Sequence, residues 1–448
     1  MTTMKTTIQL SDHFTYNKLL RFTLPTIIMM VFTSIYGVVD GFFVSNFAGK
    51  TAFASVNLIF PFIMILGGLG FMVGTGGTAL VSLVLGTGER ERANRYFSMM
   101  IYLTLILGIL VSVIGILFTR PMASFLGATP EMMEDCVVYG RIVFGFIVTF
   151  MLQNVFQSFL IAAERPKLGL AATVGAGVTN MFLDALFVGV FRWGVAGAAL
   201  ATGISQCVGG LFPLLYFIRP NTSLLKLVRT KMEIKPILQA CANGSSELMS
   251  NISASVVSMI YNFQLMKYVG ENGVSAYGVL MYVQFIFIAI YIGYSIGAAP
   301  IISYHYGARN YGELKNMLKK SVTLTGVASI VLTASAYCLA SPLSKIFVGY
   351  DAGLYALTYH AFRLFAFSFL LAGFNIFTSS FFTALNNGGI SAAISFMRTL
   401  LFQTASVLIL PLLLGVDGIW WAITVAEVFA CILSASFLLA KRGTYHYL

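Results

Sequence analysis

Charge is what this chain has least of. Only 10% of its 448 residues are Asp, Glu, Lys or Arg, against about a quarter in soluble globular proteins. Histidine is scarcer still: four dispersed copies, His13, His305, His360 and His446, offer no paired imidazoles for a metal. The five cysteines (Cys136, Cys207, Cys241, Cys338, Cys431) are scattered and lie mostly in apolar runs, so neither a disulfide framework nor a metal cluster is implied. No HExxH or GxxxxGK[ST] motif occurs, which argues against a zinc hydrolase and against a nucleotide-driven pump. The opening "MTTMKTTIQLSDHF" lacks the apolar core and small-residue cleavage site of a secretory signal.

What the chain has instead is length of apolar run. Hydrophobic residues make up 58% of it, and a membrane span needs about 20 mostly apolar residues. Breaks at charged and Gly/Pro-rich stretches predict twelve spans, at 18–46, 52–85, 97–119, 136–162, 168–190, 195–218, 236–266, 274–304, 321–344, 353–385, 390–413 and 418–440. The runs are continuous rather than alternating, which excludes a transmembrane barrel. The expected class is an all-α polytopic membrane protein in contact with the lipid bilayer.

The formal charge of +11 is distributed unevenly. Nineteen Lys and Arg fall in the termini and every second loop, among them Lys5, Arg90, Arg165, Arg229, Lys315 and Lys441; the alternate loops hold five, Lys50, Arg120, Arg192, Lys267 and Lys345. By the positive-inside rule both termini are expected in the cytoplasm, with the chain in the cell's inner membrane. The basic excess is a topology signal near anionic headgroups and not a nucleic-acid footprint.

A repeat divides the chain. At a shift of 221 residues Gly49 aligns with Gly270, Gly76 with Gly297, Gly86 with Gly307, Ser82 with Ser303, Gly194 with Gly415 and Gly197 with Gly418. The contexts agree too: "ALVSLVLG" against "PIISYHYG", and "GVAG" against "GVDG". The expected organisation is an N-terminal six-helix lobe over 1–218, a cytoplasmic linker over 219–235 and a C-terminal six-helix lobe over 236–448. Six spans per half make the repeats parallel, related by a pseudo-two-fold axis along the membrane normal.

These duplicated halves, with "VVDGFFVSNFAG" in span one, "LVSLVLGTGERERANRYF" after span two and "AAERPKLGLAATVGAGVTNMFLDALFV" running into span five, resemble the MATE (multidrug and toxic compound extrusion) family. The likeness covers essentially the whole chain and is greatest to the DinF-like and MepA-like bacterial branch. It implies a secondary exporter of organic cations and drugs that works by alternating access as a monomer, uses no cofactor and is not an enzyme.

Only four acids lie well inside spans: Asp40, Asp184, Glu247 and Glu427. Each costs about 2.5–3.5 kcal/mol on insertion scales, so each is expected to face a cavity or a partner. Asp40 is ten residues from Lys50 and Asp184 eight from Arg192, which places both in the outer half of the first lobe at similar depth. Tyr36 and Asp40, like Asn180 and Asp184, are spaced i, i+4 and share a helix face. The family resemblance implies a cation-coupling network on Tyr36, Asp40, Tyr139, Asn180, Asp184 and Thr202. A free aspartate titrates near pKa 3.9, and burial beside a second carboxylate raises that, which suits a proton carrier. The oxygens of Asp40, Asn180, Asp184 and Thr202 equally suit Na⁺, and the sequence leaves H⁺ and Na⁺ both open. Pro25, fifteen residues before Asp40, is either a bending point or a tolerated proline near the end of span one.

Glu247 in "NGSSELMSN" sits nearer the middle of span seven. Some relatives pair such an acid with a span-ten aspartate, but span ten here has none beyond its edge at Asp351. Glu247 is therefore expected either to attract cationic substrate, as Asp40 also can, or to be structural; Glu427, aligned with Gln206, is read as structural. The alternative reading is a lipid-linked oligosaccharide flippase of the same superfamily. It would want several basic residues in the cavity, and only Arg141, Arg363 and Arg398 lie within spans, all placed near span ends.

Overall fold

In the computed structural model, which describes residues 8–447, the chain runs as twelve successive helical spans with no strand among the described residues. Lys5, counted with the basic residues above, lies outside the described residues. The first half comprises span one (Tyr16–Phe43), two (Lys50–Gly86), three (Arg90–Phe125), four (Pro130–Gly145 and Ile147–Ala162), five (Pro166–Asp184) and six (Gly194–Ile218). The second comprises span seven (Ile234–Tyr268), eight (Glu271–Gly307), nine (Tyr311–Val348), ten (Ala352–Phe365 and Phe369–Ala384), eleven (Gly388–Phe396 and Gln403–Leu414) and twelve (Val416–Tyr445).

Ten of these are straightforwardly apolar enough to cross a bilayer. Span four joins them as a pair of helices bent by 53° at Phe146. Span seven is long enough, at 35 residues, but is not among the apolar ones; it carries Asn243, Ser245, Ser246, Glu247, Ser250 and Asn251 in close succession.

Local signals start the helices. Thr15 accepts the Lys18 N–H, Thr129 precedes Pro130 and accepts the Met132 N–H, and Asn387 accepts that of Ile390 at 3.1 Å, each satisfying a donor that a helix start leaves free. The second helix of each half starts after a glycine in a positive-φ conformation, Gly49 (99°) and Gly270 (81°), and the last starts at Gly194 (57°) in the first half and after Gly415 (60°) in the second. A side chain would be strained there, so the repeat preserves backbone geometry as well as residue type.

The halves meet through glycine. A Cβ on Gly86 would fall 2.0 Å from the Tyr304 carbonyl, and one on Gly307 would fall 2.0 Å from the Leu83 carbonyl. Leu83 and Tyr304 are themselves 221 apart, so the contact is its own image under the repeat. Gly76 packs against Gly244, and its counterpart Gly297 packs against Thr23, the counterpart of Gly244. Such reciprocity is what a pseudo-two-fold axis between two bundles produces.

These contacts belong to the end of the molecule where the described chain begins and ends, the terminal end. There one cluster joins Phe14, Phe22 and Ile161 of the first half to Tyr294, Ile301 and Phe377 of the second. Toward the opposite end each half packs on itself: Ile59, Phe144 and Val195 in the first, Tyr261, Phe365 and Trp420 in the second. The molecule is joined at the terminal end and cleft at the other.

A strap closes the joined end. The Leu10 N–H donates to Glu164 Oε1 in the first half at 2.7 Å, while the Phe14 N–H donates to Glu313 Oε1 in the second at 2.9 Å. His13 Nδ1 meets Glu313 Oε2 at 2.7 Å. Leu10 and Phe14 are fully buried, so the strap is wedged as well as bonded.

The segment between the halves is irregular but not loose. It lies along span three, with the Lys226 N–H on Asn94 Oδ1 (3.0 Å), the Val228 N–H on Ser98 Oγ (2.8 Å) and Leu225 buried beneath.

Candidate functional site

Glycine again decides which helices approach. Gly177, Asn180 and Asp184 are spaced i, i+3, i+7 on span five, so one face carries all three. A Cβ on Gly177 would fall 2.4 Å from the Phe32 ring and 2.8 Å from the Tyr36 ring. Its absence lets span one lie close enough for Asp40 to meet the polar residues of span five. On span six Gly203 plays the same part against Phe146, at the break in span four, and Thr202 is its neighbour.

The result is a single cluster. Asp40 faces Asp184, Asn180 and Thr202. Tyr139, buried, faces both carboxylates. Tyr36 lies beside Asp40 and against Gln153. The structure thus brings together all six residues of the expected network, from spans one, four, five and six. Gln153 completes the wall and was not anticipated; its place depends on Gly209 opposite, where a Cβ would fall 2.6 Å from the Gln153 amide carbon. The i, i+6 pair Gly203 and Gly209 on one helix was the available signal, but it does not name the partner.

The cluster has oxygens to spare. Asp40 Oδ1, Asn180 Oδ1, both oxygens of Asp184 and Thr202 Oγ1 are buried with no hydrogen-bond partner among the described residues. Buried acceptors left this way are costly, and a carboxylate more than most. A proton on one carboxyl, or a small cation among the five oxygens, supplies what they lack. The local backbone is unusual as well. Span one passes into a π-helical turn, Val44–Ala48, just after Asp40, and span five into another, Ala185–Val190, directly after Asp184. Such turns are rare and collect at functional positions. Span one runs unbroken through Pro25.

The second half treats its acids differently. Glu427, 1% exposed, is clasped by Arg398, with Nε to Oε1 at 2.9 Å and Nη2 to Oε1 at 2.6 Å, and by the Asn375 amide to Oε2 at 2.7 Å. Its structural reading stands with a partner that sequence reasoning missed. Arg398 was placed near a span end; it sits instead in the π-helical turn Met397–Phe402, midway along span eleven. Arg363 packs over the rings of Tyr337 and Tyr359, and Arg141 is exposed.

Glu247 stands apart from the Asp40 cluster. It shares a face of span seven with Gly244 and Asn251, which approach Gly76 and Gly68 of span two, so it lies at the seam between the halves. Its carboxylate is half-buried and makes no hydrogen bond among the described residues. Asp351, the nearest thing to a span-ten acid, is occupied in capping that helix, accepting from the Gly353 and Leu354 N–H groups at 2.8 and 3.0 Å. No group of three or more His, Cys, Asp or Glu able to hold a metal ion occurs among the described residues.

Comparison with known proteins bears on the family and the fold. The MatE family profile matches residues 25–186 and 248–407, one stretch in each half. The chain is 27% identical over 445 residues to the "Multidrug export protein MepA" of Staphylococcus saprophyticus, covering 96% of this chain and 95% of that one. It is 25% identical over 439 residues to the protein of the same name from Staphylococcus aureus strain NCTC 8325, with the same coverage. Among solved structures, an outward-facing multidrug resistance MATE family transporter of the MOP superfamily superposes with a TM-score of 0.93 at 22% identity, covering 99% of each chain. A MATE in complex with MaL6 gives 0.93 at 21%, covering 99% of this chain and all of that one.

Proposed function

The chain belongs to the MatE family, whose members are transporters and not enzymes, and from that premise we propose a secondary exporter that exchanges H⁺ or Na⁺ for amphipathic, often cationic organic compounds. The observation that carries the proposal is the set of five buried, unpartnered oxygens on Asp40, Asn180, Asp184 and Thr202. A cluster that must be neutralised to be stable is a cluster that takes up a cation.

The transport cycle follows from the architecture. The lobes, 1–218 and 236–448 joined by 219–235, rock about their glycine joint, so that the cleft opens alternately on either side. Both termini lie in the cytoplasm of the inner membrane by the distribution of Lys and Arg, which makes the cleft of this conformation outward-open. A cation entering from outside seats between Asp40 and Asp184, with Tyr36, Tyr139 and Gln153 forming the walls. Organic substrate is drawn by Glu247 at the seam and by Asp40. Coupling is reciprocal, so ion and substrate must antagonise one another for either gradient to drive the other. One pH unit supplies about 1.4 kcal/mol per proton, a factor of ten in substrate accumulation. One chain contains both lobes and the whole site, so a monomer suffices.

The flippase alternative is weaker on this geometry, because Arg398 is neutralised by Glu427 and offers no free charge to a pyrophosphate. The test is transport in proteoliposomes under separately imposed pH and Na⁺ gradients. Dye-type organic cations should be driven by one of the two gradients, and only with Asp40 intact. Full gradient-driven transport by purified Asp40→Asn overturns the proposal.

A further inference from the structure

Away from the cleft, at the terminal end, an open cavity of about 480 Å³ is lined by Arg95, Arg229, Thr230, Lys231 and Glu233. Three cations face one acid there. None of the three is in a salt bridge among the described residues, although Arg92, one helical turn from Arg95, is paired with Glu89. From this pocket and the surface beneath it we infer that the site holds the phosphate headgroup of an anionic membrane lipid.

The pocket is built and not a chance meeting of long side chains. The linker that brings Arg229 and Lys231 is pinned to span three by groups that take no part in the pocket: Asn94, Ser98 and the Tyr102 hydroxyl, which donates to the Val228 carbonyl at 3.4 Å. Arg90 holds the preceding residues through the Leu224 carbonyl at 3.0 Å. These bonds fix where Arg229 leaves the helix surface, one residue past Val228.

The surface below the pocket distinguishes a lipid from a free phosphate. Arg95, Tyr102, Ile106, Ile109 and Val113 follow one another at spacings of 7, 4, 3 and 4 residues, one face of span three. Ile106, Ile109 and Val113 are each more than half exposed, while Tyr102, about 10 Å along the helix from Arg95, stands between. Cation, interfacial aromatic and exposed aliphatic stripe in that order match headgroup, glycerol and acyl chain. Because the linker is the covalent junction of the two halves, a lipid seated here touches span three and the approach to span seven together.

Native mass spectrometry of the full chain, released from micelles containing equal phosphatidylglycerol and phosphatidylcholine, tests this. Phosphatidylglycerol should be retained at least fivefold over phosphatidylcholine. The double variant Arg229→Gln/Lys231→Gln should abolish that preference, and Arg95→Gln, on a different element, should do the same. A charge-matched control at the same end, Lys315→Gln/Lys319→Gln, should keep it. Equal retention of the two lipids overturns the inference. Loss of preference in the control overturns it in favour of diffuse attraction to the membrane surface. Displacement of phosphatidylglycerol by millimolar inorganic phosphate or glycerol 3-phosphate overturns it in favour of a small-anion site.

Discussion

In the first half of the molecule Asp40 and Asp184 face one another with oxygens unpartnered. In the second, Glu427 is held by Arg398 and Asn375. Both acids or acid pairs lie inside six-helix bundles related by one shift, with a π-helical turn nearby, though at positions the shift does not equate: Glu427 aligns with Gln206. What separates them in charge is an internal cation, the Arg398 guanidinium. A buried carboxylate with a fixed internal cation has no need of an external one, whereas a buried pair without one does. The placement of one arginine makes the acid of the second half a fixture; under the proposed function the pair of the first half, lacking one, is free to exchange a cation.

The contrast can be broken most sharply at Asp40. Asp40→Asn keeps the shape and cannot titrate, so gradient-driven export should fall to background, at least twentyfold, with the protein still folded. Asp184→Asn should match it, and the double variant should be little worse because the two act as one unit; purified protein in proteoliposomes gives the readout. Next in size is the second half. Arg398→Gln leaves Glu427 buried without its cation, and thermal unfolding in detergent should show a loss of about 3–5 kcal/mol. Removing both charges, as Arg398→Met/Glu427→Leu, should recover most of it. If the single variant is as stable as wild type, the pair is no fixture and the contrast fails.

A milder perturbation separates approach from charge. Gly177→Ala places a methyl against Phe32 and Tyr36; overpacking of this kind costs about 1–3 kcal/mol. Moving span one from span five should cut export several-fold while leaving every charge in place. Unchanged export would show that Asp40 and Asp184 need not stay close. The smallest effect is expected at the seam. Glu247→Gln should alter the relative affinities of different organic cations about three- to tenfold and leave ion-driven exchange of a neutral substrate intact. Loss of exchange for every substrate would move ion coupling into the second half.

Much of this was legible in the sequence, for identifiable reasons. Helical faces repeat every three to four residues, so spacing alone pairs Tyr36 with Asp40 and Asn180 with Asp184. Glycines that must adopt positive φ, such as Gly49 and Gly270, mark the repeat because no other residue takes their place cheaply. Contacts between helices were another matter. Arg398 and Glu427 are 29 residues apart on spans eleven and twelve, and whether their faces meet depends on a π-helical turn that leaves no trace in composition. Gln153 looked like any polar residue in a span. The linker read as a loop because the groups that hold it, Asn94 and Ser98, belong to a helix elsewhere.

The strap across the terminal end sets a length. Leu10 is bonded to one half and Phe14 to the other, and four residues of fully extended chain reach only about 14 Å. While both bonds hold, their anchors on Glu164 and Glu313 cannot part further than that reach plus the bonds themselves. Any conformation in which this end gapes more widely begins by drawing Leu10 or Phe14 from its socket, and a fully buried side chain of that size resists withdrawal by about 1.5–3 kcal/mol. Residues 10–14 thus act as a ruler, measuring how far the halves separate before something has to be let go.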